Sequence, residues 1–241
     1  MRVKTATDIG LARDENQDSV KYEEFGENVL VVVCDGMGGE RAGGEASVMA
    51  IDEVFSRFRN GYHEGISDDD IRKLLISSVS AANSVIYTTA RLDFKNFGMG
   101  TTCVAAFVTP KTAFIANVGD SRAYIITDSG LHRVTVDHNV ASLLYEQGKI
   151  TADEMITHPQ KNMLVRAVGV DKTVMVDIFI LDYENQIKLL LCSDGLSGYN
   201  TDSEIYEVVS SVSFEDCADE LIKLALKKGG QDNVTVALIS D

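Results

Sequence analysis

Strand-like and helical segments fall in blocks along this chain rather than alternating one for one, and that order limits the fold more than any other feature. Apolar, β-rich runs occupy residues 29–34, 101–108, 112–118, 122–127, 173–180, 187–192 and 233–239. After the first run, Val48, Ile51, Val54, Phe55 and Phe58 recur at helical spacing. A second stripe, Ile71, Leu74, Leu75, Ser78, Val79, Ala82 and Ile86, starts behind Ser67. Asp68, Asp69 and Asp70 fill its first turn, where carboxylates favour the positive helix end. Two more helical patterns, 203–212 and 214–228, precede the last run, and Gly229 and Gly230 stop the second. Clustered strands with paired helices disfavour a doubly wound parallel sheet. They predict an α+β fold of antiparallel sheets with helices packed outside. Thr109-Pro110-Lys111 reads as the turn of an antiparallel hairpin. Residues 142–158 read as a short helical excursion, part of a flap-like segment over about 142–165.

The chain has 241 residues, 45% of them apolar, enough for one sizeable core. Two prolines and no low-complexity tract leave no linker, so a single domain over 1–241 is expected. The net charge of -15, from 22 basic and 37 acidic residues, argues against nucleic acid or an anionic membrane as partner. It suits a protein that collects divalent cations. Cys34, Cys103, Cys192 and Cys217 form no CxxC pair, so free thiols in a reducing compartment are expected and a zinc site is not. The start MRVKTATDIG lacks an apolar signal core, and no window nears the roughly 20 apolar residues of a membrane span. A cytoplasmic monomer is expected.

The chemistry concentrates where an apolar run meets a pliable loop, VLVVVCDGMGGERAGGEAS. The run ends on Asp35, and five glycines fall between Gly36 and Gly44. A Walker loop needs GxxxxGK, which is absent, and GxGxxG fails because the sixth position is Arg41. Asp-Gly alone is a turn signal. Here a helical pattern follows instead of a returning strand, and the motif recurs. LLLCSDGLSG delivers Asp194 to the end of another run, ANVGDSRAYII places Asp120 between two runs, and GGQDNVTVALI places Asp232 before one. DIGLARDENQD adds Asp8, Arg13 and Asp18. Carboxylates gathered at one end of a sandwich repel unless a cation sits among them. Mg2+ and Mn2+ take oxygen ligands, keep several waters and need few carboxylates. Two such ions close together form a hydrolytic site for phosphoryl groups.

At this point the chain resembles the metal-dependent serine/threonine protein phosphatases of the type 2C (PPM) family, in their compact bacterial form. The matching segments, in the family's order, are DIGLARDENQD, VVVCDGMGGERAGGEAS, GMGTTCVAAFV, ANVGDSRAYII, TVDHNV, HPQKNMLVRAVG, LLLCSDGLSG and GGQDNVTVALI. The resemblance implies a central β-sandwich of two antiparallel sheets flanked by helix pairs on both sides, in α-β-β-α layers. It also implies two divalent cations, Mn2+ or Mg2+, at one end. By the same resemblance Asp35 bridges the two ions, the Gly36 carbonyl ligates one, and Asp194 and Asp232 hold the other. Asp120 with Asp194 matches the site of a third, looser ion. Asp18 anchors metal-bound water, Arg13 grips the substrate phosphate through a bidentate fork, and Asn233 supports the Asp232 loop. The 142–165 segment matches the family's variable flap, which contributes to substrate choice.

Two departures from the family pattern stand out. Animal relatives carry a histidine, assigned as general acid, where Met37 stands; many bacterial relatives carry one at the position of Glu40. None of the four histidines lies in this loop. Protonation of the leaving oxygen then falls to metal-bound water first and to Glu40 second, because an exposed glutamate is ordinarily ionised. Gly44 stands where relatives place a glutamate, with Glu45 one residue later. The expected activity is hydrolysis of phosphoserine and phosphothreonine in proteins by direct attack of activated water, opposing a cognate Ser/Thr kinase. A cysteine phosphatase is disfavoured, since no CxxxxxR cradle follows Cys34 or Cys192. The rivals are a silent phosphoprotein-binding or regulatory module and a hydrolase of a small phosphate ester.

Overall fold

The apolar runs form two antiparallel sheets whose inner faces meet. The structure, a computed structural model, describes residues 1–38, 42–184 and 186–241, with Phe94 by its backbone alone. In chain order the elements are β1 (Arg2–Asp8), β2 (Asp18–Phe25), β3 (Asn28–Met37), α1 (Ala42–Gly61), α2 (Asp68–Leu92), β4 (Gly100–Thr101), β5 (Cys103–Val108), β6 (Thr112–Val118), β7 (Arg122–Thr127), β8 (Gly130–Arg133), α3 (Val140–Glu146), α4 (Ala152–Thr157), β9 (Asp177–Asp182), β10 (Lys188–Cys192), α5 (Asp194–Ser197), α6 (Asp202–Ser211), α7 (Phe214–Lys227) and β11 (Val234–Ser240). One sheet runs β1-β11-β10-β7-β8 and the other β2-β3-β5-β6-β9, with β4 attached to β3.

Antiparallel strands often wet one face, but here both faces of the central strands are covered, which is why they read as unbroken apolar runs. In β3, Val29, Val31 and Val33 point between the sheets, against Val104, Ile115, Leu189, Leu191 and Ile239. Leu30, Val32 and Cys34 point the other way, into the stripes of α1 and α2. On the opposite outer face Tyr124, Leu190, Val236 and Leu238 pack under α6 and α7. The α-β-β-α layering follows. Each fully buried Leu, Val or Phe contributes about 1.5–3 kcal/mol. Side chains cap two of the helix starts: Ser67 Oγ accepts the Asp70 N–H at 3.2 Å ahead of α2, and Thr201 closes a capping box with Glu204 ahead of α6.

Several boundaries differ from the sequence reading. Strands β1, β2 and β8 carried no apolar run because they are half-buried and rich in charge and hydroxyls. The run 173–180 becomes a strand only from Asp177. The run 101–108 is broken at Thr102, so that β4 pairs with the end of β3 while β5 pairs with its middle. Helix α1 starts at Ala42 and takes in Gly43 and Gly44, which the sequence placed in the loop. The reason is contact: a Cβ on Gly36 would lie 2.1 Å from the Gly43 carbonyl oxygen, so strand and helix meet backbone to backbone.

Candidate metal centre

Ends of both sheets converge with the N-terminal loop on one cleft of about 880 Å³, lined by Arg13, Asp35, Gly36, Asp120, Asp194, Asp232 and Asn233 among others. Asp35 lies two residues inside the end of β3, opposite Asp18 of β2 in the register. Asp120 sits in the β6–β7 turn, Asp194 opens α5 directly after β10, and Asp232 lies two residues before β11. Asp18 is buried behind the cleft. Asp8 is not part of this group; its carboxylate accepts the Gly10 N–H at 2.8 Å.

Backbone contacts hold these loops with little freedom. A Cβ on Gly195 would stand 1.9 Å from the Asn233 carbonyl oxygen, and one on Gly10 would stand 2.3 Å from that of Asp232. Asn233 ties the N-terminal loop to this end. Its Nδ2 donates to the carbonyls of Ile9 and Glu15, both at 2.9 Å, and its Oδ1 accepts the Gln17 N–H at 2.8 Å. The Gly230 carbonyl adds bonds from the Leu11 and Ala12 amides at 2.7 and 3.2 Å. Arg13 is thereby carried to the cleft, where Nη2 donates to Asp232 Oδ2 at 2.7 Å. The fork expected for phosphate rests here on a carboxylate, the other oxyanion it suits.

The electrostatics are those of charge gathered against its own repulsion. Burial pushes the Asp35 carboxyl well above the usual range, and the charges of Asp18, Asp194, Asp120 and Asp232 push it further. Asp120 is raised the same way, by burial and then by Asp194 and Asp137. Burial lifts Asp18 to about 7 even though the hydroxyls of Ser193 and Thr235 oppose it. Asp194 rises to about 6, through burial and Asp232. Among the described residues the buried oxygens Asp18 Oδ1 and Asp194 Oδ1 have no hydrogen-bond partner. Leaving such acceptors unsatisfied is costly unless something else binds them.

This donor set fits a hard cation. It offers only oxygen, carries excess negative charge and contains acceptors that no described residue satisfies. Among the described residues no three His, Cys, Asp or Glu side chains form a tight cage by themselves. Glu40 lies outside the described residues.

Sequence reasoning missed the hydroxyls beneath the carboxylates. Thr102, placed by the break between β4 and β5, accepts the Asp35 N–H on Oγ1 at 2.9 Å and bonds Ser121 Oγ at 2.6 Å. Ser193 Oγ donates to Asp18 Oδ2 at 2.7 Å and accepts the Thr235 N–H at 3.0 Å. Their only signal was adjacency to the aspartate motifs, in GTTC, GDS and CSDG. A second cavity of about 680 Å³ adjoins the cleft, sharing Asp120 and Asp194 and reached by Met155 and Ile156 of α4. Lys161 reaches across to the Gly198 carbonyl at 3.4 Å.

Known proteins resemble the chain over nearly its whole length. The family model of Protein phosphatase 2C matches residues 12–238. The serine/threonine phosphatase stp of Listeria monocytogenes is 37% identical over 243 residues, covering 99% of this chain and 95% of its own length. The crystal structure of serine/threonine phosphatase Stp1 from Staphylococcus aureus superposes with a TM-score of 0.91 at 39% identity, covering 98% of this chain and 93% of that one. The catalytic domain of the serine/threonine protein phosphatase PstP, solved in complex with 2 manganese ions, gives 0.85 at 32% identity, covering 100% of this chain and 97% of that one. Fold, cleft and sequence agree, and the chain belongs to the protein phosphatase 2C family.

Proposed function

We propose that the protein removes phosphate from phosphoserine and phosphothreonine in other proteins, at a centre of two divalent cations, Mn2+ or Mg2+. The observation that carries this reading is the gathering of Asp18, Asp35, Asp120, Asp194 and Asp232 with Arg13 around one cleft, with buried carboxylate oxygens unsatisfied. When bound, the cations supply a water acidified toward neutrality and positive charge for the phosphoryl oxygens. Asp35, the Gly36 carbonyl, Asp194 and Asp232 would hold the two cations. Asp120, with Asp194, serves a looser third. Asp18, fixed by Ser193, orients water from behind. Arg13 is the phosphate grip, exchanging Asp232 for two phosphate oxygens. Asn233 sets the distance between these two groups through its bonds to both loops. Glu40 stands second, after bound water, as donor of the leaving-group proton. The substrates are phosphoproteins made by a Ser/Thr kinase in the same compartment, the cytoplasm; no described helix is long and apolar enough to cross a membrane.

The test is hydrolysis of a phosphothreonine peptide with Mn2+, after chelation, and by Asp35→Asn. Turnover that needs metal and disappears in the variant is the expected result. Metal binding without turnover would point to a phosphoprotein-binding module. Preference for a small phosphate ester over every phosphopeptide would point to a different substrate class.

A further inference from the structure

The TVDHNV segment contributes four buried polar residues; Thr135 Oγ1 accepts the Ala123 N–H at 3.1 Å, and two of the other three have evident tasks. Asp137 pairs with Arg122 and Arg133, and Asn139 caps α3 by accepting the Ser142 N–H at 2.9 Å. The third, His138, is also buried, yet its bonds lead back to the cleft. The Gly119 N–H donates to His138 Nδ1 at 3.0 Å, and the His138 N–H donates to the Gly119 carbonyl at 3.0 Å. This two-bond clamp grips the residue just before Asp120. Because Nδ1 accepts, the ring hydrogen is assigned to Nε2, which faces Asp177 Oδ2 at 2.9 Å and lies 3.0 Å from Arg166 Nη1. Asp177 Oδ1 in turn accepts Arg166 Nη1 at 2.6 Å. The His138 carbonyl accepts the Val165 N–H at 2.9 Å, beside Met163 and Leu164 of the cleft wall.

We propose that His138 is a positioning residue. It holds the Asp120 loop and the Met163–Leu164 wall in one register, with Asp177 and Arg166 fixing the ring. A merely satisfied core histidine would bond to elements remote from the site; the two backbone partners of this one, Gly119 and Val165, each adjoin a residue that lines the cleft, Asp120 and Leu164. Gly119 makes the clamp necessary. It has φ +105, a backbone state with no side chain to pin it, and a Cβ there would come 2.6 Å from Thr102 Cγ2. The inference rests on the reading of Asp120 as a ligand of the loosest cation. His138 then acts on that cation through the Asp120 backbone, as supporting partners of metal ligands do.

The experiment is calorimetric titration of the full chain with Mn2+, for wild type, His138→Gln, His138→Asn and Asp120→Asn, each checked for native circular dichroism. Glutamine keeps a donor near the place of Nε2 but loses the Gly119 acceptor, whereas asparagine keeps that acceptor near the place of Nδ1. The expected result is a loss of about 10-fold or more in the weakest Mn2+ affinity for His138→Gln, with His138→Asn closer to wild type. A folded His138→Gln with the wild-type isotherm, while Asp120→Asn loses the weak ion, overturns the positioning role and leaves the reading of Asp120 standing. A wild-type isotherm for Asp120→Asn overturns both. Should His138→Gln not fold, Asp177→Asn decides: its isotherm shifts the same way, or the proposal fails.

Discussion

Two clusters of buried charge adjoin where the sheets end, and they handle their charge in opposite ways. Around Asp137 every charge has a partner. Arg122 donates from Nε and Nη2 at 3.0 and 2.7 Å, and Arg133 adds a third bond at 3.3 Å. Arg122 also reaches Tyr124, whose hydroxyl donates to Asp202 at 3.2 Å. Around Asp35, carboxylates face carboxylates, and Arg13 ion-pairs with one of them. The first cluster is a finished structural joint. The second is strained by its own repulsion in the absence of a cation, and that strain is what a bound cation relieves. The contrast separates charges that the protein pairs internally from charges that it sets against one another.

The largest expected effect comes from Asp35→Asn, which should lower Mn2+-dependent phosphopeptide turnover by at least about 10³-fold, the rate equivalent of several kcal/mol. The same variant should melt at a higher temperature than wild type in chelator, since it removes one repelling charge. A lower melting temperature would break the comparison. Next, Asp137→Ala leaves Arg122 and Arg133 without their buried partner and should destabilise the protein by about 3–5 kcal/mol, read by urea unfolding with or without metal. Arg13→Lys keeps the charge but loses the fork. It should lower kcat/KM for a phosphopeptide by roughly 10–100-fold, the range for hydrogen bonds to charged groups, with little change in stability.

The smallest effect per step is one of pH, and its sign distinguishes the clusters. Asp18 and Asp194 rise from 3.8 to about 7 and about 6 on folding, so between those limits the folded state binds more protons than the unfolded one. Stability of the chelated protein should therefore fall as pH rises from about 4 to about 7, by up to about tenfold in the unfolding equilibrium per unit and per group. Saturating Mn2+ should flatten that slope. Melting curves that rise across this window in chelator would contradict the account.

Much of the site was legible in the sequence because its carboxylates stand at abrupt changes of pattern. Asp35, Asp194 and Asp232 each mark a point where an apolar run stops or starts, and the glycines beside them advertise close backbone approach. The layering was legible too, from strands in clusters and helices in pairs. What escaped had no periodic trace. Strands β1 and β2 are mostly half-buried and carry charged and hydroxyl side chains, so RVKTATD and DSVKYEEF look like loops. Thr102, Ser121 and Ser193 are hydroxyls whose task appears only when distant strands meet. The bond of Arg13 to Asp232 spans 219 residues, beyond any local pattern.

The central claim is that these scattered carboxylates share bound cations, and anomalous diffraction from a crystal grown with Mn2+ tests it most directly. The account predicts peaks in the cleft about 2 Å from oxygens of Asp35, Asp194 and Asp232. A cleft without Mn2+ peaks, from a protein that keeps full phosphatase activity in chelator, would contradict it.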